Sequence, residues 1–190
     1  MLTQPTTLQS VVNNPSGSGG SVHVGRYDLL VADCPWDYAN FSALKHGAAR
    51  AAFRTMPTED IAQIPVDWWM KPDAHLFLWA TLPKLDHAVD VVRAWGFKHV
   101  TALPWIKTLT SSADGRPDVV TGVGFWFQGC VELLLVCRRG KPKKPDAEAH
   151  VGLCVGLDGP HFYAPRIRHS EKPLLVMDWL DQVFPAATKL

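Results

Sequence analysis

The residues with the clearest chemical potential are Asp33-Cys34-Pro35-Trp36, which close the apolar run Leu29-Leu30-Val31-Ala32. Pro35 fixes its own φ, has no amide hydrogen and pushes Cys34 towards extended geometry, so a strand must end there. The corner then offers two hydrogen-bond acceptors in a fixed relation. One is the Asp33 carboxylate; the other is a main-chain carbonyl, most naturally that of Cys34. Trp36 adds a flat apolar face beside them. A flat ligand whose amino group donates two hydrogen bonds satisfies all three parts, and adenine is such a ligand. A simple strand-end cap is the plainer reading of Asp33. Cys34 reads as a residue acting through its backbone rather than as a reactive thiol.

The elements that must position this corner follow from the apolar pattern. Tyr27 to Ala32 has the length and continuity of a strand buried on both faces. His75 to Ala80, Val100 to Ile106 and Val131 to Cys137 read as three more strands. Thr58 before Glu59-Asp60 marks a helix start with acids in its first turn. Leu85, Ala88, Val89 and Val92 share one helical face, and Gly96 stops that helix. Ser170 is expected to open a last helix, with Pro173 in its first turn. Residues 37 to 55 form a long aperiodic loop, a length that usually marks a functional segment. Strands alternating with helices predict an α/β fold, an open and mostly parallel sheet with helices on both faces. Ligands of such sheets sit at the carboxyl ends of strands, which is where Asp33 lies.

The totals bound the function. The chain has 190 residues, 47% hydrophobic and 19% charged, a balance suited to one globular domain. Residues 1 to 22 are polar, end in Ser16-Gly17-Ser18-Gly19-Gly20 and read as a flexible arm ahead of a domain over residues 23 to 190. That glycine cluster follows no strand and opens no helix, which argues against a phosphate loop. No stretch approaches the roughly 18 apolar residues of a membrane span, and the first residues lack the features of a signal peptide. A cytoplasmic protein with no membrane partner is the default. Net charge is only +1, so any nucleic-acid contact must be local. Arg138, Arg139, Lys141, Lys143 and Lys144 are the candidates, either as phosphate contacts or as a solvated loop. The four cysteines, Cys34, Cys130, Cys137 and Cys154, form no CxxC pair and read as free thiols, with no metal site.

Five ordered blocks carry a resemblance. Asp33-Cys34-Pro35-Trp36 is similar to the Asp-Pro-Pro-Trp signature of S-adenosylmethionine-dependent adenine N6-methyltransferases, with cysteine in the second place. His75 to Thr81 with Trp95-Gly96-Phe97, Trp105-Ile106-Lys107-Thr108, Gly124-x-Trp126 with Glu132 to Gly140, and Arg168-His169-Ser170-Glu171-Lys172-Pro173 resemble the later blocks in order. The family includes mRNA-adenosine methyltransferases and DNA adenine methyltransferases. The resemblance implies a Rossmann-like methyltransferase sheet with permuted motif order and methyl transfer to adenine in DNA or RNA, DNA being favoured. It implies Asp33, Cys34, Pro35 and Trp36 as the catalytic corner, and Asp33, Ser170 and Lys172 as residues toward the cofactor. Phe53, Trp79, Trp105 and Lys107 match positions near the substrate base, although Trp79 and Trp105 also suit a core and Lys107 a surface. A flipped base is expected on a duplex.

The sequence departs from the family pattern in two places. Some members carry a cofactor-contacting lysine where this chain has Val131. Members also continue past the Ser-x-Lys-Pro segment into a strand and a Gly-Asn pair that hold the cofactor, whereas this sequence reaches Thr188-Lys189-Leu190 as that strand starts. The C-terminal cofactor strand is therefore expected to be absent. An active enzyme would need completion by a homo- or hetero-oligomer partner, by swapping or by a compressed site. The alternatives are a non-catalytic relative that binds nucleic acid or a catalytic partner, and amino methylation of a protein glutamine or a small molecule.

Overall fold

The computed structural model describes residues 25–38, 54–109, 118–121, 127–145, 161–168 and 170–190. The arm over residues 1 to 22 and most of the 37–55 loop lie outside them. In chain order the elements are β1 (Tyr27–Asp33), α1 (Thr58–Ala62), α2 (Val66–Trp69), β2 (Met70–Thr81), a 3-10 turn (Leu82–Lys84), α3 (Leu85–Ala94), β3 (Lys98–Thr108), β4 (Val131–Arg139), β5 (Phe162–Pro165) and α4 (Leu175–Val183).

The strands form one sheet in the order β1-β2-β4-β3-β5. β1 pairs with β2 and β3 with β5 in parallel, while β4 runs antiparallel to both of its neighbours. Four strands therefore point the same way, and β4 alone is reversed. The consequence for function is direct: the start of β4 lies at the same end of the sheet as the carboxyl ends of β1, β2 and β3.

Alternation along the strands builds two cores. Leu76, Leu78 and Ala80 of β2, Leu135 and Cys137 of β4 and Leu30 of β1 face one side, where Ile61 of α1, Val66 of α2 and Ala88, Val91 and Val92 of α3 cover them. Phe77 and Trp79 of β2, Leu134 of β4, Trp105 of β3 and Leu29 of β1 face the other side. Phe162 and Ala164 of β5 extend that face, and Val176 and Leu180 of α4 cover it. Side chains of successive strand residues point to opposite faces, so β2 is apolar on both.

Gly96 stops α3 as its sequence position predicts. It takes φ +77°, and the amides of Gly96 and Phe97 bond the carbonyls of Arg93 and Val92 at 3.0 and 2.9 Å. This is the paired bonding of a Schellman cap. It turns the chain so that Phe97 buries beside Val92 and β3 enters the sheet.

Two expectations need correction. The last helix begins at Leu175, not at Ser170. Ser170 sits at φ +64°, a left-handed backbone that opens no helix, and the segment up to Leu174 is an irregular approach to α4. In addition, β5 was not legible: it is four residues long and emerges from a stretch rich in glycine and proline. Its pairing with β3 and the bond from Trp105 Nε1 to the Ala164 carbonyl, 2.9 Å, hold it in place.

Candidate active site

β1 ends at Asp33, which lies in register with Trp79 of β2. Two residues further along β2, Thr81 pairs with Glu132 of β4, and Glu132 pairs in turn with Trp105 of β3. The sheet register thus brings Asp33, Trp79, Glu132, Trp105 and Lys107 to one end, although they come from four strands. The corner after Asp33 is fixed from outside as well. The Met56 amide donates to the Pro35 carbonyl at 2.8 Å, and Thr55 Oγ1 donates to Asp37 Oδ1 at 3.3 Å.

Charged groups alternate across this end. Lys172 Nζ lies 2.9 Å from Asp33 Oδ2 and 3.5 Å from Glu132 Oε2, and Lys107 Nζ lies 2.5 Å from Glu132 Oε1. The order Asp33, Lys172, Glu132, Lys107 is electrically balanced, and Arg166, which also lines the cavity at this end, adds a further positive charge. Glu132 is the most enclosed member, with 10% of its side chain exposed, against 45% for Asp33. Asp33 lies at the mouth of a cavity of about 240 Å³. Withdrawal from solvent raises the Asp33 carboxyl above its ordinary range, outweighing the opposing pull of the Lys172 ammonium, and Glu132 adds to the rise. The same withdrawal, with Asp33 beside it, pushes the Cys34 thiol up to about 12. Cys34 is therefore a buried thiol, protonated at neutral pH.

The aromatic residues are packed rather than free. Trp36 is 4% exposed and donates its indole N–H to the Trp79 carbonyl at 3.3 Å, while still lining the cavity. Trp79 also lines it and meets Trp105 edge to face, with ring centroids 5.8 Å apart. Trp105 is buried behind, with Lys107 Nζ 5.2 Å from its ring centroid. Lys172 Nζ stands 5.8 Å from the Trp79 ring centroid. Such cation–ring contacts hold both ammonium groups against the cavity wall. The Cys34 carbonyl already accepts the Trp36 amide at 2.8 Å. A carbonyl has two lone pairs, so one remains for a second donor.

Of the residues singled out from sequence, Asp33, Cys34, Trp36, Trp79, Lys107, Ser170 and Lys172 all line this cavity. The Ser170 carbonyl accepts from Lys172 Nζ at 3.1 Å and helps aim that lysine. Phe53 lies outside the described residues. The basic run is elsewhere: β4 carries Arg138 and Arg139 to the opposite end of the sheet. Sequence reasoning did not select Glu132, Tyr38, Thr81 or Arg166, which also line the cavity. The Tyr38 hydroxyl and Thr81 Oγ1 share a hydrogen bond of 2.7 Å on the cavity wall. Glu132 did leave a trace, as a lone acid in the apolar strand Val131-Glu132-Leu133-Leu134-Leu135.

The fold and site define an α/β protein of the Rossmann-like type with an acid-x-Pro-Trp corner at a strand's carboxyl end. Residues 27–190 match the MT-A70 family, and the chain belongs to it. It is 26% identical to the Type II methyltransferase M.MunI of Mycoplasma sp, over 87% of this chain and 70% of that protein. It is also 26% identical to the N(6)-adenosine-methyltransferase MT-A70-like protein of Drosophila melanogaster and to the human N(6)-adenosine-methyltransferase catalytic subunit METTL3. Those matches cover 88% of this chain but only 24% and 25% of the relatives, so the chain spans about a quarter of their length.

Proposed function

We propose that the chain transfers a methyl group from S-adenosylmethionine to the exocyclic amino group of adenine in a nucleic acid, with DNA the first polymer to assay and RNA the second. One observation carries the reading: Asp33, at the end of a parallel strand, lines with Cys34 a cavity walled by Trp36 and Trp79. Relatives named as adenosine N(6)-methyltransferases support it.

The residues suit the cofactor by charge. Lys172 and Lys107 are partners for a carboxylate, and Asp33 and Glu132 for cationic groups. Asp33, Ser170 and Lys172 would hold it, and when bound it supplies an electrophilic methyl on a sulfonium. The cavity, about 240 Å³, matches reacting ends rather than two whole ligands, since whole-ligand pockets are about 300–1,000 Å³. Along the outer edge of β1, the Val31 amide donates to the Leu190 carbonyl and the Leu190 amide to the Leu29 carbonyl, both at 3.0 Å.

The chain's own residues do the rest. An adenine amino nitrogen is a poor nucleophile because its lone pair is delocalised into the ring. Asp33 and the free lone pair of the Cys34 carbonyl accept its two hydrogens and draw it towards tetrahedral geometry, freeing that pair to attack. As the nitrogen gains the methyl it becomes cationic and sheds a proton, and the raised basicity of Asp33 suits it to take that proton. Trp36 and Trp79 bound the base, and much of the acceleration is positioning. Transfer of radiolabelled methyl to adenine-containing DNA and RNA tests the reading. Binding of polynucleotide with no binding of the methyl donor would instead mark the chain as a non-catalytic relative.

A further inference from the structure

We propose that the loop Lys141–Lys144 is a second, distal contact for the backbone of a nucleic-acid substrate, at the opposite end of the sheet from Asp33. The inference rests on the reading above that the substrate is a polynucleotide. β4 sets the separation. Glu132 belongs to the catalytic end, and Arg138 stands six residues on, about 20 Å away at ~3.3 Å per residue. That distance spans about six phosphates of one strand at ~3.4 Å each.

The loop is built rather than loose. Gly140 takes φ +59°, and a Cβ there would collide with the Asp73 carboxylate and the Pro72 carbonyl, so the chain passes tight against β2. The Lys141 amide donates to Asp73 Oδ1 at 2.6 Å, Arg138 Nη1 donates to the Gly140 carbonyl at 2.5 Å, and His75 Nε2 lies 3.0 Å from the Lys143 carbonyl. With the backbone pinned at these points, the side chains of Lys141, Lys143 and Lys144 are left exposed. Among the described residues no carboxylate pairs with any of the three. Arg139 differs: it is spent on Asp67 at 2.6 Å and packs over the Phe97 ring.

A cavity of about 500 Å³ opens beside the loop, where Asp28 and Asp73 are the acids that these three lysines and Lys71 meet among the described residues. Asp28 is already engaged by Lys71 at 2.8 Å and by the Thr188 amide at 2.9 Å, and Asp73 by the Lys141 amide. The remaining charge is positive, so the complementary occupant is an anion. An adjoining groove has apolar walls that include Phe77, Leu103, Trp179 and Phe184, with Arg138, Lys141 and Lys144 on its rim. Cations that track a backbone beside an aromatic wall suit a strand of nucleic acid.

The test compares the full chain with the triple variant Lys141→Gln, Lys143→Gln, Lys144→Gln, by fluorescence anisotropy on adenine-containing 5-mer and 20-mer oligonucleotides across a salt series. At ~3.4 Å per nucleotide of a stacked strand, the 20-mer can reach both ends of the sheet and the 5-mer cannot. For the 20-mer, the variant's plot of log affinity against log salt should be shallower by about 2, at ~0.7 per lost single-strand contact. Its affinity should fall about tenfold or more, in line with loss of several phosphate contacts. The 5-mer should bind both proteins alike. Equal affinity of the two proteins for the 20-mer, or an equal loss on both lengths, overturns the distal contact. If lysine-dependent binding of the 20-mer is present but methyl transfer is absent, the distal contact stands and the proposed activity fails.

Discussion

Lys172 Nζ touches Asp33 Oδ2 at 2.9 Å across 139 positions of sequence, and no other described cation pairs with that carboxylate. The lysine opposes the rise that the enclosing protein imposes on this half-exposed carboxylate, so removing it lets the carboxyl rise further. If transfer needs the ionised carboxylate, Lys172→Met moves the acid limb of kcat/KM to higher pH, because Asp33 then keeps its proton over a wider range. Pre-steady-state and steady-state pH profiles of methyl transfer measure this. An acid limb unmoved by the substitution would mean that Asp33 is not the titrating acceptor.

Glu132 is the hub that keeps two ammonium groups together, bonding Lys107 at 2.5 Å and Lys172 at 3.5 Å. All three side chains are mostly enclosed, with 10–19% exposure. Glu132→Ala leaves Lys107 without its carboxylate at a mostly enclosed site, while Lys172 keeps Asp33; removing one partner of a buried pair costs about 3–5 kcal/mol. Urea unfolding should show that loss, with methyl transfer reduced as Lys172 loses its second anchor. A change below about 1 kcal/mol, typical of solvent-exposed pairs, would show that the network is solvated.

Cys34 acts through its carbonyl in this account, and its thiol ionises only near 12. Cys34→Ala should therefore keep methyl transfer within a few-fold of the original. N-Ethylmaleimide at pH 8 should leave Cys34 unmodified, as peptide mapping would reveal, because the reactive thiolate is scarce there. Rapid labelling of Cys34 with parallel loss of activity would contradict its assignment as a backbone contributor.

Two glycines separate backbone strain from collision. Gly96→Ala places a side chain at φ +77° with its nearest neighbour, Asp67 Oδ1, at an ordinary 3.7 Å, so only the left-handed backbone cost of about 1–2 kcal/mol applies. Gly140→Ala at φ +59° adds overlap with Asp73 and the Pro72 carbonyl. Thermal denaturation should rank Gly140→Ala as the more destabilised variant. The reverse order would mean that the turn after β4 is not held against β2.

How far the sequence reveals this protein depends on the range over which each feature is encoded. Strands β2 and β4 announce themselves because central strands buried on two faces must be continuously apolar, as in Leu76-Phe77-Leu78-Trp79-Ala80, and β1, at the end of the sheet order, also feeds both cores through Leu29 and Leu30. Gly96 is legible because its left-handed turn is a local requirement. β5 is not, since four residues held by pairing with β3 carry no periodicity of their own. Ser170 resembles a helix cap in local sequence, yet the backbone turns left-handed there and α4 waits until Leu175. Asp33 and Trp36 stand out because their corner is local, whereas the role of Glu132 depends on β4 running backwards between β2 and β3. Reversal of that one strand also carries the basic run away from the cavity, which residue spacing alone does not show.

The central claim is that Asp33 grips the amino group that receives the methyl. The direct measurement is transfer of radiolabelled methyl from S-adenosylmethionine to adenine-containing DNA and RNA by the original chain and by Asp33→Ala, with circular dichroism and thermal melting of both. The account predicts incorporation into adenine by the original and its loss by about 10²-fold or more in the variant, the scale of a catalytic proton acceptor, while the fold is kept. A folded Asp33→Ala variant that still transfers methyl at a comparable rate would contradict it.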